Sequence, residues 1–275
     1  CARVYWALSS TQSRAVSYAR RRVREPFRGR DARGPAGAMN SSRHAESPDT
    51  LLSNSREDAG LPIINVRGLR YRYPDGTIAL DGVDFQLRAG ECVAVLGANG
   101  SGKTTFVRHL NGLLRGEGLL EVCGMEMDVH ATGGTLAAVR SRVGLVFQNS
   151  DEQLFMPTVL EDVAFGPANL GLPPEDAASR ARAALEQVGL LNAAAKAPYH
   201  LSAGEKRRAA IAGVLAMQPE ILVLDEPTTS LDPPGRRELL RLLRHRSQAK
   251  SLVTHDAEFA RALAARAIFF ERGRI

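Results

Sequence analysis

GANGSGKT, residues 97–104, decides how this 275-residue chain is read. It follows the apolar run Cys92–Leu96 and leads into a helical stretch (about 103–114), so the order is strand, loop, helix. The pattern fits G-x-x-x-x-G-K-[ST]. Glycine lets a backbone approach phosphate oxygens closely, so several N–H groups can point into one concavity. Gly97, Ala98, Asn99, Gly100, Ser101, Gly102 and the neighbouring Thr105 are the candidate phosphate cradle. Lys103 offers a point charge for the β- and γ-phosphates, and the Thr104 hydroxyl offers a ligand for Mg²⁺.

A nucleotide loop of this kind demands an acidic partner. ILVLDEP (221–227) sets Asp225 and Glu226 at the C-terminal end of a buried strand, where open α/β sheets bind ligands. Asp225 would hold the metal shell, and Glu226 is placed to polarise a water. A second helix start lies a hundred residues after the loop, in HLSAGEKRR (200–208). Ser202 and Glu205 form an S-x-x-E capping box there, and the small-residue turn leaves unpaired N–H groups suited to an anion.

The rest of the chain supports an α/β reading. Residues 63–100 hold short β-type runs divided by P-D-G, D-G and A-G turns, read as antiparallel strands ending in Cys92–Leu96. LLEVCG and VGLVFQ (143–148) read as further strands, and 151–220 as mostly helical. Then follow strand 221–224, helix RRELLRLLRHR, strand SLVTH, helix DAEFARALAARA and strand AIFFERGRI. This alternation argues for a parallel sheet with helices packed on it and an inserted helical subdomain.

Composition narrows the class. Hydrophobic content of 44% suffices for a core, and no run of about 18 apolar residues spans a membrane. The net charge of +6 comes from residues 1–38, where nine arginines face only Glu25 and Asp31; residues 39–275 sum to −1. ARRRVR could be a basic arm for nucleic acid or lipid. The reading adopted for 1–60 is a disordered or non-native extension, with Met39 preceding the first strand-like run. Cys1, Cys92 and Cys123 form no C-x-x-C pair, so neither zinc nor a disulfide framework is expected.

GANGSGKTT, Gln148, LSAGEKRR, ILVLDEP, SLDP (230–233) and VTHD (253–256) stand in the order found in ATP-binding-cassette ATPases. The resemblance covers about 65–275. It implies a P-loop NTPase fold of mixed sheet with an antiparallel β subdomain and a helical subdomain (about 151–220), making 61–275 the ATPase domain. It assigns Tyr73 to adenine stacking, with Tyr71 as second choice, and Gln148 to Mg²⁺ and the attacking water. Glu226 resembles the catalytic base, His255 the switch histidine at the γ-phosphate, and Asp232 the acid that communicates across a dimer. Ser202 and Gly204 would serve ATP held by a second such subunit packed head to tail. At position 203, where the family usually has Gly, this chain has Ala; an ordinary φ there would make the change mild.

FQNSDEQLFMPTVLEDVAFGPANLGLP (147–173) is similar to the ATPases of energy-coupling-factor importers, particularly the cobalt/nickel type. Leu154, Phe155, Val159, Leu160, Val163 and Phe165 could build a groove for a partner's helix, though most are also suited to the subdomain's own core. The resemblance thus implies ATP and Mg²⁺ as ligands, integral membrane transporter subunits as partners and no nucleic acid. It implies a peripheral location on the cytoplasmic face of the membrane. An importer ATPase for a vitamin or amino acid, a cassette acting on nucleic acid or ribosomes, and a non-enzymatic regulatory subunit are the alternatives. A long coiled coil, a zinc insertion or tandem cassettes would mark the second of these, and loss of Glu226 or His255 the third; none of these signs is present.

Overall fold

The computed structural model describes residues 61–275. The readings made for residues 1–60 lie outside them. The strands divide into two sheets. One is antiparallel, in the order β2 (Ile78–Leu87), β1 (Ile64–Arg72), β4 (Glu117–Val122), β5 (Met125–Glu126). The other is parallel, in the order β6 (Val143–Val146), β7 (Ile221–Asp225), β8 (Ala249–Val253), β3 (Cys92–Gly97), β9 (Arg266–Phe270). The run Cys92–Leu96, expected to close the antiparallel series, therefore belongs to the parallel sheet, paired in register with β8 and β9. Its residues Cys92–Val95 are all buried, as a strand covered on both faces requires.

Side chains alternate across a strand, and β7 shows what this does. Ile221 and Val223 enter a core shared with the antiparallel sheet and with α1 (Lys103–Leu110). Leu222 and Leu224 enter a second core with α3 (Val159–Asn169), α4 (Pro174–Gln187) and α5 (Ala203–Ala216). These three helices form the helical layer. Around the parallel sheet lie also α2 (Gly133–Arg142), α6 (Pro233–Arg244) and α7 (Ala257–Leu263). Among the described residues no helix is long and apolar enough to cross a membrane.

Several element ends fall short of the sequence reading. Helix α1 stops at Leu110, where Asn111 caps it and Gly112 turns at φ 70°. β6 ends at Val146, because the Phe147 N–H leaves the ladder for the Gln153 side chain. The last strand ends at Phe270, and Glu271–Arg274 curl into a turn.

Candidate functional site

The phosphate-type loop is held between the two sheets by contacts only glycine permits. Gly97 has φ 145° and Gly102 φ 111°. A Cβ at Gly97 would strike the Phe270 carbonyl of β9, and one at Gly102 the Ala79 carbonyl of β2. Lys103 opens α1 and folds back over the loop, its Nζ donating to the Gly97 and Ala98 carbonyls at 2.8 Å each. The ammonium thus stands over the loop, bonded there to carbonyls and not to a carboxylate of the described residues.

An open cleft of about 530 Å³ begins here. It brings together Tyr73, Asn99, Gly100, Gly102, Lys103, Thr104, Thr105, Gln148, Asp225 and Glu226. Gly97, Ala98 and Ser101 stand in the loop itself without lining the cleft, and the Ser101 hydroxyl is buried with no partner. Tyr73 is fixed by its hydroxyl, 3.0 Å from that of Thr105, and by an edge contact with Tyr71. Sequence reasoning missed Ile78 and Ala79, which line the same cleft. Ile78 is 52% exposed at the start of β2, an apolar surface beside Tyr73. Its signal was an isoleucine one residue after the P-D-G turn at 74–76.

Asp225 ends β7 and is 3% exposed. Burial raises its carboxyl above the usual range, against a bond from the Thr104 hydroxyl. Its Oδ1 is buried without a partner. An orphaned carboxylate oxygen beside a threonine hydroxyl is what a hard cation would complete, so the donors present fit Mg²⁺. No cluster of three His, Cys, Asp or Glu among the described residues could enclose a metal. A cation here would keep waters and substrate oxygens in its shell, as Mg²⁺ does.

Glu226 follows at φ 49°, its N–H bonded to the Val253 carbonyl of β8. His255 leaves the end of β8, and its Nδ1 lies 2.9 Å from Glu226 Oε2. The imidazole is 79% exposed and the carboxylate 10%, so the histidine faces solvent and the glutamate lies under it. His255 lines a neighbouring hollow with Thr228, Thr229 and Arg236. Asp232 caps α6 through the Gly235 N–H.

Ser202 and Gly204 are not brought into this cleft. They begin α5 with the capping box complete: the Ser202 hydroxyl accepts from Glu205 N–H, and Glu205 accepts from Ser202 N–H at 2.8 Å. The turn packs near Ser230 and otherwise faces outward, with Ser202 and Ala203 exposed. Ala203 is absent from the residues with positive φ and is the first residue of the helix. Of the six apolar residues after Gln148, Val159 and Val163 are wholly buried, whereas Phe155 is 46% exposed and edge-on to Phe165.

A glycine loop, a lysine, a threonine–aspartate pair and a glutamate around one cleft define a P-loop nucleoside triphosphatase. Comparison with known proteins makes the assignment specific: residues 80–229 match the ABC transporter family, and the chain belongs to it. It is an ABC ATPase in fold and activity class. It is 46% identical over 219 residues to the energy-coupling factor transporter ATP-binding protein EcfA of Methanocaldococcus jannaschii, covering 78% of this chain and 77% of that one. Its structure resembles that of cbiO1 from Clostridium perfringens, part of the ABC transporter complex cbiONQ (TM-score 0.68, 36% identity, 78% of this chain and 86% of that one). It also resembles a dimeric ATP-binding cassette in a post-hydrolysis state bound to ADP and Pi (TM-score 0.71, 28% identity, 77% and 96% covered).

Proposed function

We propose that this protein is the ATP-hydrolysing subunit of an energy-coupling-factor importer for cobalt or nickel ions, working as a head-to-tail pair. The observation that carries the mechanistic half is the division of parts. Lys103, Thr104, Gln148, Asp225 and Glu226 share one cleft, while the α5 start at Ser202–Gly204 lies outside it with Ser202 and Ala203 exposed. A γ-phosphate held by the loop needs donors on its far side, and an outward helix N-terminus on a second copy supplies them.

In this reading Tyr73 and Ile78 receive the adenine, and the loop N–H groups with Lys103 receive the phosphates. Thr104, Asp225 and Gln148 would hold Mg²⁺, which would supply charge neutralisation to the phosphates when bound. Glu226 accepts hydrogen bonds from the attacking water and orients it for in-line attack. His255 begins 2.9 Å from Glu226 and swings toward the γ-phosphate, which frees the carboxylate for the water. Residues 61–275 then form the ATPase domain, located peripherally on the cytoplasmic face beneath membrane subunits. Phe155 and its neighbours supply the contact with those subunits.

Glu226→Gln tests the mechanism. ATP binding should persist while turnover falls by about 10²–10⁴, the usual share of a general base; near-normal turnover refutes the assignment. For the cargo, the complex is purified from membranes and its subunits identified. A metal-binding membrane subunit supports cobalt or nickel, and a vitamin-binding one sinks that reading.

A further inference from the structure

Arg207 is 1% exposed and is the largest of the wholly buried side chains among the described residues. It lies in the second turn of α5, the helix begun by Ser202. Its guanidinium donates to four backbone carbonyls from two separate segments. Nη1 reaches Phe147 and, at 3.3 Å, Gln148; Nη2 reaches Asp225 at 2.6 Å; Nε reaches Pro227 at 3.2 Å. Burial lowers its pKa to about 10, with Asp225 and Glu226 opposing, so the charge is kept at neutral pH.

A buried charge is unfavourable unless its donors are satisfied, and an apolar residue would fill the same space without that penalty. What guanidinium alone supplies is five donors in a rigid fork, able to fix several carbonyls at once. Both segments it holds lie where the regular sheet ends, Asp225 being the last residue of β7. Phe147 and Gln148 lie beyond the end of β6, and Pro227 lies beyond β7, after Glu226 has turned at φ 49°.

We infer that Arg207 is a positioning residue for ATP hydrolysis, holding the Gln148 turn and the Asp225–Pro227 segment in one register with the helix that carries Ser202 and Gly204. The inference rests on the roles proposed above for Gln148, Asp225 and Glu226. It ties the two ends of a subunit's contribution together: the helix start offered to a partner's ATP, and the metal and water groups of its own cleft. A tilt of α5 is then transmitted to Gln148 and Asp225 as a displacement of backbone, not of side chains alone.

The test uses the full chain with Arg207→Lys and Arg207→Gln. Lysine keeps the charge but has three donors from one point, and glutamine has two and no charge. Four quantities are read: binding of a fluorescent ATP analogue in EDTA, KM for ATP, kcat, and the Mg²⁺ concentration for half-maximal rate. Arg207→Lys should bind the analogue and show a KM within about threefold of wild type, while kcat falls about tenfold or more and the half-saturating Mg²⁺ rises at least about fivefold. Arg207→Gln should shift both further in the same direction. Wild-type kcat and Mg²⁺ dependence in Arg207→Lys overturn the inference. So does a parallel loss of Mg²⁺-free binding and thermal stability, or failure of both variants to fold, since Arg207 is then a structural requirement only. Glu226→Gln is run alongside. If it turns over normally, the site assignment has failed; if it is inactive while the Arg207 variants are normal, this inference alone has failed.

Discussion

At Glu226 the backbone takes φ 49°, a conformation that disfavours a side chain by about 1–3 kcal/mol and persists only when the surroundings enforce it. The enforcement is visible: the N–H is tied to Val253 on the adjacent strand, and the next residue's carbonyl is held by Arg207. Ala203 is the reverse case. The family resemblance puts glycine there, yet the residue is an ordinary first helical residue and needs no special φ. Ala203→Gly should therefore not accelerate turnover. It should lower stability by about 0.5 kcal/mol or slightly more through backbone entropy, measured by urea unfolding beside steady-state ATPase rates. A severalfold rise in kcat would mean that the methyl group obstructs the closed pair.

Among the elements, α3 shows how one carboxylate organises a loop. Asp162 Oδ1 accepts from the Phe155 and Met156 N–H groups at 2.9 Å, fixing the turn that exposes Phe155. Oδ2 is buried with no partner, and burial outweighs those two bonds to raise the carboxyl to about 6. A folded-state pKa above the unfolded value favours the fold at low pH, and this contribution fades as pH rises through about 6. Asp162→Asn should thus gain on wild type by roughly 1–2 kcal/mol at most between pH 4.5 and 7.5, seen as a pH-dependent difference in unfolding midpoints. A difference that is flat across this range removes the buried charge from the account. The same scale shows what sequence could and could not disclose. ILVL before Asp-Glu announces β7 because a strand buried on both faces has to be continuously apolar. The capping box at Ser202 is legible because both partners lie within one turn. Arg207 is hidden, since in EKRR a buried arginine and a solvated one look alike and its four acceptors lie 18 to 60 residues away. The turn that ends β9 is equally hidden, being held by Gly273 N–H on the Ser101 carbonyl and by Asp81 N–H on the Gly273 carbonyl.

For the whole molecule, the outward α5 start makes a prediction about copies of the chain. Protein carrying Lys103→Ala is mixed with protein carrying Ser202→Arg, each nearly inactive alone. A head-to-tail pair concentrates both defects in one site and leaves the other intact, so mixing should restore up to about a quarter of wild-type activity. A site complete within one subunit gives no recovery. The position of the nucleotide loop sets what such a pair can do with ATP. Gly97 is pressed on the parallel sheet and Gly102 on the antiparallel one, so the loop touches both sheets at once. In such a pair, a push from the phosphates on the loop would reach both sheets at once, since neither glycine leaves room for so much as a Cβ.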